Sequence, residues 1–339
     1  MELAGNIGER NVYRPDQLKR ATDLIADRFR NLGYEVEFQA VEAKAKDYRL
    51  GSEKWAEVAY NVIARFSEDV ARNDPKREII VLGAHYDTLA FTDQWVGTDQ
   101  HRFRPNERGT RGANDNATGV AALLEIARQL KTARLDREVR FAAFVNEEPP
   151  FFQQRDAMGS FQYAQRCRIA NQEIVMMISL DALGLYTREG PRAKRGWLRS
   201  WFATRANLPF ESEYVAFMSN RERGSGAQAV EWAREFARRS PVAVRTLNLP
   251  FFPALGTEYF AWSDDWSFTR FDYPAFTITD TAFYRSDRYH ERWDTPEFIS
   301  ARDYELFSGV VVGVADMVRT MADPNVSKVR IHLAANPSR

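Results

Sequence analysis

Seven side chains in this sequence have types and settings suited to divalent-metal chemistry: His85, Asp87, Asp115, Glu147, Glu148, Asp181 and His290. Imidazole nitrogen and carboxylate oxygen are both donors that zinc accepts. Cys167 is the single cysteine of the chain, which excludes a cysteine-based metal site and an internal disulfide. With only four histidines, any metal site must lean on carboxylates. Taken singly, each signal has a plainer explanation. His85-x-Asp87 fits a histidine satisfied by a nearby acid, and Glu147-Glu148 fits a solvated loop. Asp115 could cap a following helix, Asp181 could cap a turn, and His290 could be an exposed loop residue.

The surrounding elements weigh against seven separate accidents. Residues 78–83, 139–145, 174–180 and 274–279 are short apolar runs, the mark of strands buried on both faces. Residues 34–38 alternate as a half-buried strand does, and 55–66 is a further strand candidate. Leu18, Ala21, Ile25, Phe29 and Leu32 recur at helical spacing between Pro15 and a capping Gly33. Further helices are predicted over 117–131, 156–168, 227–238 and 297–321, and a strand over 242–247. Strands alternating with helices imply an α/β fold with a mixed, mostly parallel central sheet flanked by helices on both faces. In such sheets, ligands collect beyond the carboxyl ends of the strands. His85, Asp87, Glu147, Glu148 and Asp181 all fall just after predicted strands, Asp115 at a helix start, and His290 in the loop after 274–279. One edge of one sheet therefore gathers all seven.

Composition bounds the rest. The 339 residues carry 44% hydrophobic and 28% charged side chains, as a globular chain does. Lys+Arg and Asp+Glu are equal at 47 each, which argues against nucleic acid or an anionic membrane as partner. No apolar run reaches bilayer length, and Met1–Arg10 lacks the features of a signal peptide. A secretion signal could already have been removed, so the compartment stays open. No repeat or Pro/Ser-rich linker divides the chain. A single catalytic domain over 1–339 is expected, decorated at about 91–112 and 187–256.

The ordered segments Gly83-Ala84-His85-Tyr86-Asp87-Thr88, Gly112-Ala113-Asn114-Asp115-Asn116-Ala117-Thr118-Gly119-Val120, Asn146-Glu147-Glu148-Pro149, Leu180-Asp181 and Tyr289-His290 carry a family resemblance. The chain resembles the zinc exopeptidases that include two-zinc aminopeptidases, glutamate carboxypeptidases and glutaminyl cyclases. The likeness runs from the first helix to the last and is weakest between 187 and 256.

The resemblance implies two Zn²⁺ ions: one on His85 and Asp181, the other on Glu148 and His290, with Asp115 bridging. Such a pair shares a water and lowers its pKa toward neutrality. Four positive charges would be offset by three carboxylates and one hydroxide. Glu147 would then be free of the metals as general base, and Asp87 would accept the second ring N–H of His85. A cis Asp115–Asn116 peptide is also implied. The implied activity is hydrolysis of a peptide or small amide bond at a chain end, the N-terminal bond first. Glutaminyl cyclase, with one zinc, and carboxypeptidase are the alternatives on the same fold. A binding module that has lost its chemistry is a further one, which the complete ligand set disfavours.

One departure stands out. In Ser263-Asp264-Asp265-Trp266, Asp265 occupies a place where the family commonly has His, so altered substrate contacts or local hydrogen bonding are expected. His101 and His332 are read as exposed and without function, although His101 could reach over the cleft if its loop forms a lid. Of Phe151, Phe152, Phe251, Phe252, Trp262, Trp266, Phe283 and Tyr284, most are expected in the core and a few along a pocket. Arg285 either pairs with a neighbouring acid or binds a substrate carboxylate, with the structural role favoured.

Overall fold

Alternate residues of the central strands are apolar on both faces, so each strand needs cover on two sides. Ile80, Leu82 and Ala84 of one strand pack into the larger core, whereas Ile79 and Val81 point into the second. The computed structural model describes residues 1–42, 58–72, 74, 76–90, 109–149, 151–186, 213–220, 225–249, 263–286 and 288–323. Among them, eight strands form one sheet in the order β1-β2-β4-β3-β5-β8-β6-β7. The strands are β1 Tyr34–Glu42, β2 Val58–Phe66, β3 Ile79–His85, β4 Glu138–Phe144, β5 Ile174–Leu180, β6 Tyr214–Asn220, β7 Ala243–Leu249 and β8 Ala275–Thr279. The central four, β4-β3-β5-β8, run parallel. β1 and β2 pair antiparallel, β2 joins β4 antiparallel, and β6 joins β8 antiparallel while pairing parallel with β7.

Helices Pro15–Asn31, Gly119–Leu130, Ser225–Ala237 and Ala301–Met321 fill the larger core with Ile25, Phe29, Leu123, Phe236 and Val314. Helix Gly159–Ile169 and the short helix Asp265–Thr269 cover the other face through Tyr163, Ala164, Cys167 and Phe268. Cys167 is thus a small apolar filler. No helix among the described residues is long and apolar enough to cross a membrane.

The order β4-β3-β5 places the site. From β3 the chain crosses to β4 on one side, and from β4 it crosses back over β3 to β5. Such a switch point opens a crevice above the carboxyl ends of these strands. His85 is the last residue of β3 and pairs with Phe144 at the end of β4.

Several expected bounds shift. β3 continues two residues past Gly83, because parallel pairing with β4 carries on to His85. The predicted helix over 117–131 starts at Gly119, preceded by a wide turn Ala113–Thr118 in which Asp115 (φ −112°) and Asn116 (φ −136°) leave helical space. The predicted helix over 297–321 begins at Ala301, where Ser300 and Asp303 form a reciprocal cap; residues Pro296–Phe298 make a separate 3₁₀ turn. The sequence reading also lacks β6, although Tyr-Val-Ala-Phe-Met is an apolar run of strand length. Most of 91–112 and 187–256 lies outside the described residues, as do His101, His332, Phe251, Phe252 and Trp262.

Candidate metal centre

His85 ends β3, and the other predicted site residues are delivered by loops and turns next to strand or helix ends, several of which use rare backbone conformations. Asn146 (φ 61°) precedes the Glu147-Glu148 pair, Ala182 (φ 52°) follows Asp181, and His290 itself has φ 62°. A left-handed non-glycine residue costs on the order of 1 kcal/mol, and such positions gather where function constrains the chain. Gly112 (φ 56°) begins the turn that carries Asp115; a Cβ there would collide with the Asp115 carbonyl oxygen and a Thr88 methyl.

The two neighbours of Asp115 fasten that turn to the end of β5. Asn116 Nδ2 donates to the Leu180 carbonyl at 2.8 Å, and its Oδ1 accepts from Gly119 N at 2.9 Å and Ala182 N at 3.1 Å. Asn114 Nδ2 donates to Asp280 Oδ2 at 3.0 Å, and its Oδ1 accepts from Gly184 N at 2.6 Å. The intervening Asp115–Asn116 peptide is cis, as the resemblance implies. Asp115 is thereby brought over β3 and β5.

There, one oxygen of Asp115 lies 3.2 Å from His85 Nε2 and the other 3.3 Å from His290 Nε2. His85 Nε2 is 3.6 Å from Asp181 Oδ1, and His290 Nε2 is 3.3 Å from Glu148 Oε2. Two donor triads result, His85–Asp115–Asp181 and Asp115–Glu148–His290, with ligand atoms within 4.8 Å of one another in each. They share Asp115. All five residues expected to be ligands therefore converge.

The donor atoms fit a cation. His85 Nδ1 and Nε2, Asp115 Oδ2 and Glu148 Oε1 are buried without a hydrogen-bond partner among the described residues. Buried polar atoms are otherwise nearly always paired, so this cluster is in the state that a bound ion would satisfy. The electrostatics agree. Burial drives the Glu147 carboxyl well above the ordinary range, and Asp181, Glu148 and Asp264 push the same way against the opposing pull of His85. Glu148 is likewise raised by burial and by Asp115, Asp87 and Asp181. For His85, burial favours the neutral ring, yet the surrounding carboxylates, Glu147 foremost, outweigh it and raise its pKa well above normal. Burial also opposes ionisation of Asp115, but the two imidazoles hold its carboxyl well below the usual range. A concentration of negative charge calls for cations.

Glu147 belongs to neither triad, and its Oε2 stands 3.7 Å from His85 Nε2. Asp87 does something beyond what the resemblance implies. Its Oδ1 lies 3.7 Å from His85 Nδ1, too far for a hydrogen bond, and its two oxygens accept the backbone N–H groups of Glu147 (3.2 Å) and Glu148 (3.1 Å). Asp87 thus orients the strand-end pair on β4 as well as facing the histidine of β3.

Sequence reasoning gave no role to Asp264 or Tyr289, whereas Asp265 and Arg285 were singled out there. Asp264, fully buried, has its carboxyl pushed up to about 7 by burial, with Asp181 and Asp87 adding to the rise. Asp265 is buried beside it and also raised to about 7 by burial. Tyr289 stacks on the His290 ring at 3.9 Å between centroids and fixes its plane. Arg285 donates to the backbone carbonyls of Leu185, Tyr214 and Asp280 and lies over the Tyr214 ring, the structural role. Phe151 and Trp266 are buried, Phe152 and Phe283 half-buried, and the Tyr284 side chain is outside the described residues.

The geometry has parallels in known proteins. The fold is that of a Tannerella forsythia glutaminyl cyclase (TM-score 0.62, 18% identity, 94% of this chain and 95% of that one). It is equally that of the Legionella pneumophila LapA aminopeptidase (TM-score 0.63, 15% identity, 94% and 68%). In sequence, the chain is 28% identical to the uncharacterised Escherichia coli K12 protein YfbL over 93% of its length and 84% of that protein. A 77-residue stretch is 35% identical to Bacillus subtilis aminopeptidase YwaD, covering 23% of this chain and 13% of that one. The profile of Peptidase family M28 matches residues 61–315, and with that match over most of its length the chain belongs to peptidase family M28.

Proposed function

We propose that this protein is a two-zinc aminopeptidase that removes the N-terminal residue of peptides. The observation that carries the proposal is the pair of donor triads sharing Asp115, with Glu147 buried beside them and committed to neither. His85 and Asp181 would hold one Zn²⁺, Glu148 and His290 the other, and Asp115 both. Two ions held in this way supply Lewis acidity to the scissile carbonyl and acidify a water.

The protein's own groups do the rest. Glu147 takes the proton of the attacking water on its carboxylate and then gives it to the leaving amine. Because its carboxylate is committed to neither triad, it is free to act first as base and then as acid. Asp87 holds the backbone of Glu147 and Glu148, so the proton carrier and a metal ligand keep a fixed relation. Tyr289 keeps the His290 ring from turning. The N-terminal choice is supported by the aminopeptidases among the similar proteins.

Zinc-loaded enzyme given matched peptides with free and acetylated N-termini tests the reading. Release of the first residue from free peptides alone, abolished by chelation and restored by zinc, is expected. Cleavage of blocked peptides from the carboxyl end would replace the aminopeptidase with a carboxypeptidase. Likeness in fold to glutaminyl cyclases supports a second reading, intramolecular cyclisation of an N-terminal glutamine. A zinc-to-protein ratio near one with ammonia release from glutaminyl peptides would favour it.

A further inference from the structure

A carboxylate outside both donor triads holds the shared ligand from behind. Asp294 is buried, and its Oδ1 accepts the N–H of Asn114 at 2.8 Å while its Oδ2 accepts the N–H of Asp115 at 2.9 Å. Its backbone carbonyl also accepts the N–H of Ala113 at 3.3 Å. Three consecutive amides of the turn that carries Asp115 therefore end on one residue. Asp294 lies four positions after His290, and its own N–H donates to the Glu291 carbonyl, so it shares a tight loop with that histidine.

Arg10 grips the same turn from the other side. Its guanidinium donates to the carbonyls of Arg111 (2.7 Å) and Gly112 (3.0 Å), and its Nε donates to the carbonyl of Tyr86 (2.6 Å), the residue after His85. The turn is thus pinned between the His290 loop and the end of β3.

We propose that Asp294 is a positioning residue that couples the two metal subsites, by locking the backbone of Asp115 to the loop that delivers His290. This rests on the two-metal reading above. The two oxygens of Asp115 must reach in different directions, one toward His85 and the other toward His290, at 3.2 and 3.3 Å. A carboxylate accepting two adjacent amides fixes both peptide planes at once. When that clamp is lost, residue 115 is free to turn, and neither of its oxygens is held where its ion needs it. Removing Asp294 therefore weakens both ions together, although Asp294 touches neither. Removing His290 weakens only the ion that His290 binds.

Cobalt(II) substitution reads this without relying on turnover. The full chain is titrated with Co²⁺ as wild type, Asp294→Ala, Asp294→Asn and His290→Ala, following affinity, stoichiometry and the magnetic coupling between the two ions. The melting temperature of each metal-free protein is measured alongside. Asp294→Asn keeps the shape but turns one acceptor into a donor facing an N–H, so it serves if the alanine variant does not fold. Wild type is expected to take two coupled ions. The Asp294 variants should bind both steps at least ~10-fold more weakly (about 1.4 kcal/mol per step) and lose the coupling, while His290→Ala loses one step only. Unchanged affinity and coupling in the Asp294 variants would overturn the proposal even if their melting temperatures fell, because that is the signature of a merely structural residue. Loss of a single step would overturn it too. Fewer than two coupled ions in wild type would defeat the two-metal reading itself, and this inference with it.

Discussion

The two ends of the parallel strands hold buried acids in opposite circumstances. At the amino end of β4, Glu138 is buried and gripped by Arg65 at 2.6 Å and Arg140 at 2.7 Å; Arg140 continues to Gln172 at 2.8 Å. Burial there opposes ionisation, but the two guanidinium groups outweigh it and hold the Glu138 carboxyl below its ordinary value. At the carboxyl end of the same strand, Glu147 and Glu148 are just as buried and are pushed well above theirs. Arg10, whose charge is felt by Asp87, Asp115 and Glu148 at that end, directs its donors to backbone carbonyls, not to the carboxylates. Countercharge is built into the first end, whereas the second keeps an excess of carboxylates among the described residues. That contrast separates a structural ion-pair cluster from a candidate metal centre more sharply than either cluster alone.

Single substitutions should break the two ends in different currencies. The largest effect is expected for Glu147→Gln, which should reduce kcat by about 10²–10⁴-fold, the usual worth of a positioned proton carrier. Bound zinc, measured by elemental analysis, should be unchanged. Near-wild-type turnover would remove Glu147 from that role. Asp115→Ala should lose zinc as well as turnover, because it withdraws a donor from both triads. At the opposite end, Glu138→Gln should leave the kcat of the folded protein unchanged and cost about 3–5 kcal/mol of stability, since it strands Arg140 in the interior. Denaturant titration and kinetics on the same sample check both halves.

Metal removal sharpens the comparison further. Zinc at about 100 times its dissociation constant should add about 2.7 kcal/mol of stability per bound ion through linkage. Chelation should reverse the gain in wild type and in Glu138→Gln alike. If Glu138→Gln abolished the zinc response, the two ends would not be independent.

The smallest effect is one of sign in the pH dependence of the metal-free protein. Glu138 is lowered in the folded state, so the unfolded chain binds more protons near and below the ordinary glutamate value of about 4.3; its stability contribution is lost as the pH falls through the folded value. Glu147 and Glu148 are raised, so the folded state holds protons that the unfolded chain has released above about 4.3, and stability declines as the pH rises toward their folded values. His85 adds to that decline above about 6.5, because its folded value is also raised. Chemical denaturation across pH should show an alkaline decline that zinc suppresses and an acid decline that it does not. An alkaline decline of equal size with and without zinc would contradict the contrast.

Much of this was legible in the sequence, because strand-end positions and buried-strand periodicity are local signals. The five ligand candidates and Glu147 each follow an apolar run or open a helix, and the structure gathers them within one crevice. Asp294, Asn114, Asn116 and Arg10 were not legible, since their role is to bond backbone atoms far away in sequence: 179 positions for Asp294 with Asp115, and 102 for Arg10 with Gly112. No spacing rule announces such a partner. The start of the last helix is legible in its cap, Ser300 and Asp303, but the apolar pattern continues back to Glu297 and predicts too early a start. β6 was lost among polar connections, where its run of five apolar residues competes with no neighbouring period.

The central claim is that five side chains hold two ions through one shared carboxylate, and anomalous diffraction from zinc-soaked crystals tests it most directly. The account predicts two peaks roughly 3.5–4 Å apart. One should be bound by His85 and Asp181, the other by Glu148 and His290, and both by Asp115. A single peak, or two peaks with Asp115 turned away from one of them, would contradict it.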